Sequence, residues 1–228
     1  AYAWDKEQWE QLFKDLKESY KDNKKDHFLG SVIFKQLATN AGEGSKRSLI
    51  DGQQRLTTFS LLVKVLYERL DDEDKSDYTE YLFQKPTKNK KPRIEHSKVD
   101  REVFAAVLRG DEGINHLYQN EKIFQCYQYF KEQIESEKLD FRDFLDFILE
   151  SKLWVAINLE ANEDEQKIFD SINTAGLRLT ATDIIKNAIF AKALKIGADY
   201  EKLYKECWEA VFEVKENREF WELEVEIG

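Results

Sequence analysis

The sequence predicts an α+β fold in which a small mixed sheet carries a large helical insertion over about 71–151 and is followed by C-terminal helices over about 199–228. Three observations predict it. Runs at 28–34 and 153–159 are rich in β-formers, and Leu49-Ile50 ends a shorter run of the same kind. Between 98 and 151 apolar residues recur at helical spacing, which inserts a helical layer between sheet elements. At Leu49 to Thr58 an apolar pair, a polar turn with glycine and an apolar-periodic helix follow one another directly. All 228 residues are read as one domain.

Taken in order, Ala1-Tyr2-Ala3-Trp4 precedes a helix that Asp5 can cap, with Trp9, Leu12, Phe13 and Leu16 on one face. Phe28-Leu29-Gly30-Ser31-Val32-Ile33-Phe34 is the first strand, and Gly30 leaves room for a ligand or another backbone. The tract from Ala38 to Ser48, with Gly42, Gly44, Lys46 and Arg47, is a hairpin-type loop whose two cations read as solvated. A helix begins at Gln54 and shows Leu56, Phe59, Leu62, Val63 and Leu66 on its apolar face.

That junction has the chemistry of an anion site. The first N–H groups of a helix lack intrahelical acceptors and carry partial positive charge, so a phosphate is held there by geometry and dipole together. Arg55 adds a planar fork of donors, Asp51 can hold a metal, a sugar hydroxyl or the arginine itself, and Gln53 and Gln54 supply neutral donors and acceptors. A plain structural turn, in which Asp51 only caps the helix, accounts for the same residues.

After the helix ends near Leu70, Asp71-Asp72-Glu73-Asp74 reads as a solvated break. Lys85 to Arg93 then holds five cations and both prolines of the chain, an extended loop where an acidic protein concentrates positive charge. It reads as a solubilising loop or, with Lys88, Lys90, Lys91 and Arg93, as a contact to the DNA backbone. Three helical patterns follow: Val103, Phe104, Val107 and Leu108; Ile123, Phe124, Tyr127, Phe130 and Ile134; Phe141, Phe144, Leu145 and Ile148. Gly110 and Gly113 separate the first two. Tyr118, Tyr127 and Tyr129 read as core rather than as base-stacking residues.

Leu153 to Leu159 is the second sheet segment. A short helix through Ile168, Phe169 and Ile172 then ends at Gly176, and Thr180-Ala181-Thr182-Asp183 opens another with a capping-box-like start. Leu203, Trp208, Val211, Phe212, Phe220, Trp221 and Leu223 mark terminal helices.

Composition narrows the function classes. Hydrophobic residues make up 42% and aromatics 13%, ample for a core, while 35% charged residues, a mean hydropathy of -0.66 and no long apolar run predict a soluble, cytoplasmic chain without membrane contact. A net charge of -10 opposes general cation-driven nucleic-acid binding, so any DNA contact must be local. Cys126 and Cys207 read as buried thiols of a reducing compartment, and His27, His96 and His116 make no zinc pattern. No Ser-His-Asp or Cys-His constellation is present in the sequence. The chain holds no methionine even at Ala1, which suggests a fragment or missing modified methionines.

Ile50-Asp51-Gly52-Gln53-Gln54-Arg55 followed by Leu56-Thr57-Thr58 resembles the signature of the domain-of-unknown-function 262 family, the N-terminal domain of GmrSD-like type IV restriction enzymes, whose fold is similar to ParB and sulfiredoxin. Phe169, Asn173, Gly176, Leu179, Asp183 and Lys186 resemble that family's second signature in residue type, spacing and order. The resemblance implies a ParB/sulfiredoxin-like sheet and an NTP of unspecified base, with Mg2+ as a companion, bound to regulate an anti-phage system that senses DNA, modified or not. It implies Arg55 and Gly52 at the phosphates, Gln53 and Gln54 orienting substrate or water, Asp51 anchoring a metal ion or the loop, and Asn173, Lys186, Tyr2 and Trp4 completing the pocket. A linked His-Asn-His-type nuclease and self-association are expected of such a protein, while no nuclease motif occurs in these residues. A DNA- or nucleotide-binding module without turnover, or a protein-interaction domain with an internally satisfied turn, stays open beside it.

Replacing Lys88, Lys90, Lys91 and Arg93 together with Ala is expected to flatten the salt dependence of DNA binding, and an unchanged slope in a salt titration would remove the loop from the interface.

Overall fold

Asp5 starts the first helix as expected: its side chain accepts from the Glu7 N–H while the Gln8 side chain accepts from the Asp5 N–H, and α1 (Lys6–Lys21) buries Trp9, Leu12, Phe13 and Leu16. The computed structural model describes residues 1–25, 27–37, 46–85, 90–160 and 200–209. The chain divides into two compact units, 1–161 and 162–228. The second is described only at α8 (Tyr200–Leu203) and the π-helical turn Tyr204–Glu209 that continues it.

In the first unit, β1 (Gly30–Gln36), β2 (Arg47–Asp51) and β3 (Trp154–Leu159) form a sheet in the order β2-β1-β3. β1 runs antiparallel to β2 and parallel to β3, so the sheet is mixed as predicted. Parallel pairing requires a long crossover, and the helices between β2 and β3 supply it. They are α2 (Gln53–Glu68), α3 (Asp72–Leu82), α4 (Lys98–Arg109), α5 (Ile114–Leu117), α6 (Lys122–Ser136) and α7 (Phe141–Glu150). Gly110 ends α4 and Gly113 precedes α5, both in the left-handed conformation that glycine adopts without Cβ strain.

The core lies among the helices. Phe13, Phe104, Phe130 and Phe144 are fully buried, and the Phe13 ring meets Phe130 and Phe144 edge-on at 6.0 and 6.5 Å. α2 packs on α3, α6 and α7, which explains why Leu61 to Leu66 are buried without a break rather than along one stripe. Leu56 and Phe59, expected on the buried face, are only half-buried; Phe59 stands edge-on to Trp154 of β3 at 5.6 Å and links the central helix to the sheet. Tyr127 and Tyr129 belong to the core, as their spacing predicts.

Two expectations change, at Asp71 to Asp74 and at Cys207, and one is refined. Asp71 to Asp74 are not a break: Asp71 precedes α3 and the other three acids form its first turn, where the helix dipole favours negative charge. The loop from 85 to 93 is pinned at its base, where Phe83 bridges Pro92, the Gln84 N–H donates to the Lys91 carbonyl and the Arg93 N–H to the Leu82 carbonyl. Cys126 is buried, but Cys207 is exposed.

One buried titratable group couples this packing to pH. The His96 ring lies 4.3 Å from that of Phe104, with its Nε2 3.1 Å from Thr57 Oγ1, and burial pushes its pKa down to about 4 despite the nearby Asp100 carboxylate. Unfolding restores the ordinary value of about 6.5, so the unfolded chain binds the extra proton first. The contribution is whole above that value and is lost as pH falls toward about 4. Melting temperatures of wild type and His96→Gln are expected to converge across that window, and a constant gap would show that His96 does not titrate on unfolding.

Candidate functional site

The turn from β2 into α2 rests on Gly52. Its φ is +92°, and a Cβ there would stand 2.6 Å from Val32 Cγ1 and 3.3 Å from the Ser31 carbonyl oxygen. Only glycine combines that backbone conformation with so close an approach to β1. The Leu56 N–H donates to the Gly52 carbonyl at 3.0 Å to close the first helical bond, and no side chain caps α2. Asp51, which could have been the cap, instead ends β2 opposite Ile33 of β1. By position, the N–H groups of Gln53, Gln54 and Arg55 have no intrahelical acceptor.

Arg55 lies one turn along α2 and points back to Asp51, its Nη2 3.2 Å from Asp51 Oδ2. The two side chains are 26% and 32% exposed, so the pair is screened and is worth at most about 1 kcal/mol. The guanidinium passes directly over Gly30: an ideal Cβ on that residue would come 1.9 Å from Arg55 Nη1 and 3.0 Å from Cζ. The room expected at Gly30 is taken by an arginine, not by another backbone. Gly30 itself has φ +134°, a further reason for glycine.

The two glutamines have different surroundings. Gln54 Oε1 accepts from the Ala3 and Trp4 N–H groups at 2.8 and 3.2 Å, and its Nε2 donates to the Ala1 carbonyl at 3.1 Å. Its amide therefore clips the N-terminal segment to α2 and is not free to orient a substrate or water. Gln53 is exposed, and its Nε2 donates to the Leu49 carbonyl at a long 3.4 Å.

Behind the turn, Thr57 and Thr58 donate to the Gln53 and Gln54 carbonyls at 2.7 and 2.8 Å. With the Thr58 hydrogen so used, the Tyr2 hydroxyl donates to Thr58 Oγ1 at 2.6 Å while accepting from Trp9 Nε1 at 2.8 Å. Tyr2 N–H donates to buried Asp100 at 2.8 Å, and Cys126 Sγ stands 3.5 Å from the tyrosine hydroxyl. Burial raises the pKa of both Tyr2 and Cys126, which keeps them neutral. Tyr2, expected to line the pocket, is thus a core residue supporting the turn from behind, and Trp4 is half-buried against that core.

Of the cations expected to meet DNA, Lys91 pairs with Glu95 at 2.5 Å and Arg93 Nη1 donates to the Glu80 carbonyl at 2.7 Å. Lys85 pairs with Glu80, and exposed Lys90 has no carboxylate partner among the described residues. Lys88, Asn173 and Lys186 lie outside the described residues. No cluster of three or more His, Cys, Asp or Glu side chains with metal-binding geometry occurs among the described residues. Asp51 alone fits Mg2+ only if phosphate oxygens and waters fill the remaining positions, which is how Mg2+ is commonly held beside nucleotides.

The fold and turn define a class: an α+β domain whose strand-turn-helix junction presents an arginine beside a helix N-terminus. The family model of the GmrSD restriction endonuclease N-terminal domain matches residues 1–190, and the chain belongs to that family. It is a component of a type IV, anti-phage restriction system, in which DNA is the substrate and a nuclease domain the partner. A search of curated proteins finds no significant match to the chain. No helix among the described residues is long and apolar enough to cross a membrane.

The contact between Gly30 and Arg55 can be measured as a coupling. Gly30→Ala is expected to lower stability by about 2 kcal/mol and Gly30→Ala with Arg55→Ala by less than the sum of the single changes, since truncating Arg55 removes the clash and leaves only backbone strain. Strict additivity in urea denaturation would place the two residues apart.

Proposed function

We propose that this domain binds the phosphates of an NTP at the β2–α2 turn and, through that binding, regulates the nuclease of its restriction system in response to DNA. The position of Arg55 carries the reading. Its guanidinium is held in place by Gly30 beneath it and by a weak pair with Asp51, at the uncapped start of a 16-residue helix. A ligand with two or more negative charges can outcompete one screened carboxylate, because a guanidinium-phosphate contact is bidentate and charge-assisted. The helix N-terminus adds backbone donors and positive potential at the same end.

Roles then follow from placement. Arg55 binds phosphate, and the N–H groups of Gly52 and Gln53 lie nearest the same position by sequence. Gln53, exposed and weakly held, is the residue able to orient a water toward a terminal phosphate. Gln54 is a positioning residue through its clip on Ala1, Ala3 and Trp4. Asp51, once Arg55 turns to phosphate, is a carboxylate able to take Mg2+, which would supply charge neutralisation at the phosphates.

A binding module without turnover uses the same groups, and one experiment separates the readings. Arg55→Ala is expected to fold and to bind NTP about 10- to 100-fold more weakly than wild type, the loss expected for a hydrogen bond to a charged group. Calorimetric titration and phosphate release are measured on both proteins. Binding without release favours the module, and equal affinity in the two proteins would sink the assignment of Arg55.

A further inference from the structure

The middle of α2 carries one residue that its packing does not explain. Leu61 to Leu66 are all buried, and within that apolar run Lys64 is only 5% exposed. Burying an ammonium costs several kcal/mol unless it is paired, and a leucine or methionine would fill the same space without that cost. Lys64 Nζ pairs with Glu68 Oε1 at 2.8 Å, and the other Glu68 oxygen accepts from the Tyr127 hydroxyl at 2.7 Å.

Lys64 reaches a cleft of about 500 Å3 also lined by Glu68, Asp72, Lys75, Thr79 and Lys90. Lys75 pairs with Asp72 at 2.9 Å. Lys90, exposed and with φ +43°, has no carboxylate partner among the described residues. The cleft is lined by three lysines, two of them paired with carboxylates and Lys75 facing Asp71 as well, so Lys90 is the lysine of this cleft without a carboxylate partner among the described residues. The other described cations of the loop are spent on Glu80 and Glu95.

We propose that this cleft between α2 and α3 binds a backbone phosphate of duplex DNA, with Lys90 as the first contact and Lys75 and Lys64 behind it. The inference rests on the DNA-responsive reading of the domain but not on the Arg55 turn. It moves the DNA contact from the loop as a whole to the one loop cation that shares a cleft with two lysines of the helices. Glu68 and Asp72 hold Lys64 and Lys75 at the wall of the cleft, so the uncancelled charge that a phosphate meets there is that of Lys90.

The test is a salt titration of the full chain with a short duplex of mixed sequence, read by fluorescence anisotropy. Lys75→Gln combined with Lys90→Ala, both away from the core, is expected to weaken binding about tenfold near 0.1 M salt and to reduce the slope of log affinity against log salt by about 1, as for the loss of one phosphate contact. Lys91→Ala with Arg93→Ala should retain the wild-type slope. A wild-type slope in the Lys75 and Lys90 variant overturns the cleft alone. No duplex binding by wild type overturns both the cleft and the DNA-responsive reading, and loss of free pyrophosphate binding without any duplex binding would assign the cleft to small phosphates instead.

Discussion

The close approach of α2 to β1 is the constraint on which the rest of the first unit depends. It is made at two glycines. Gly52 lets the chain turn within van der Waals reach of Val32, and Gly30 lets Arg55 lie flat on the strand. Arg55 and Phe59 are four residues apart and so share a face of α2. They land on Gly30 and Trp154, which are register partners across the parallel pair of β1 and β3. One helix face therefore fixes the helix to two strands that are far apart in sequence. A side chain at Gly52 would meet the backbone of β1 and lift this contact, whereas one at Gly30 would displace the Arg55 guanidinium.

That contact matters because α2 also organises the polar interior. Thr57 meets His96, Thr58 meets Tyr2, and Gln54 holds three backbone groups of the N-terminal segment. Each hydrogen bond contributes only about 1 kcal/mol net, but leaving one partner buried and unpaired costs about 1–3 kcal/mol. The network is therefore a device of specificity more than of stability. It makes the N-terminal segment, the turn and the segment before α4 agree on one arrangement, and the residues that achieve this fall within the same short string that carries Arg55.

Much of this was legible from the sequence where a residue's role depends on period or on its own backbone. Asp5 and its capping box, the apolar faces of α1, α4, α6 and α7, and the strands of the mixed sheet follow from local chemistry. α3 did not, because Asp72 to Leu82 buries only Tyr78 and Leu82 and so shows no stripe to read. Site residues were legible as chemical types and not as directions. Gln53 and Gln54 are the same side chain on successive positions, yet 100° of helix rotation sends one to solvent and the other under the N-terminal segment. Tyr2 has the composition of a pocket residue and the partners of a core one. Lys64 was hidden inside an apolar run, since no periodic pattern marks a charge that finds its counter-ion on its own helix one turn later.

The proposed function turns on the distribution of paired and spare cations. A protein of net charge -10 repels polyanions at a distance, and salt screens that repulsion over about 10 Å. Attraction must come from cations whose neighbours do not cancel them. Lys85, Lys91 and Arg93 are held by carboxylates or a carbonyl, which stabilises the loop but leaves them little to offer a phosphate. Arg55 is cancelled only by a screened carboxylate at 3.2 Å, and Lys90 by none among the described residues. Weak pairing has a further consequence at Arg55. A tightly buried pair would oppose exchange by several kcal/mol, whereas in the proposed function this partly exposed one would let phosphate replace Asp51 with little lost. The same geometry that makes the ion pair a poor source of stability is what the proposed function asks of the arginine.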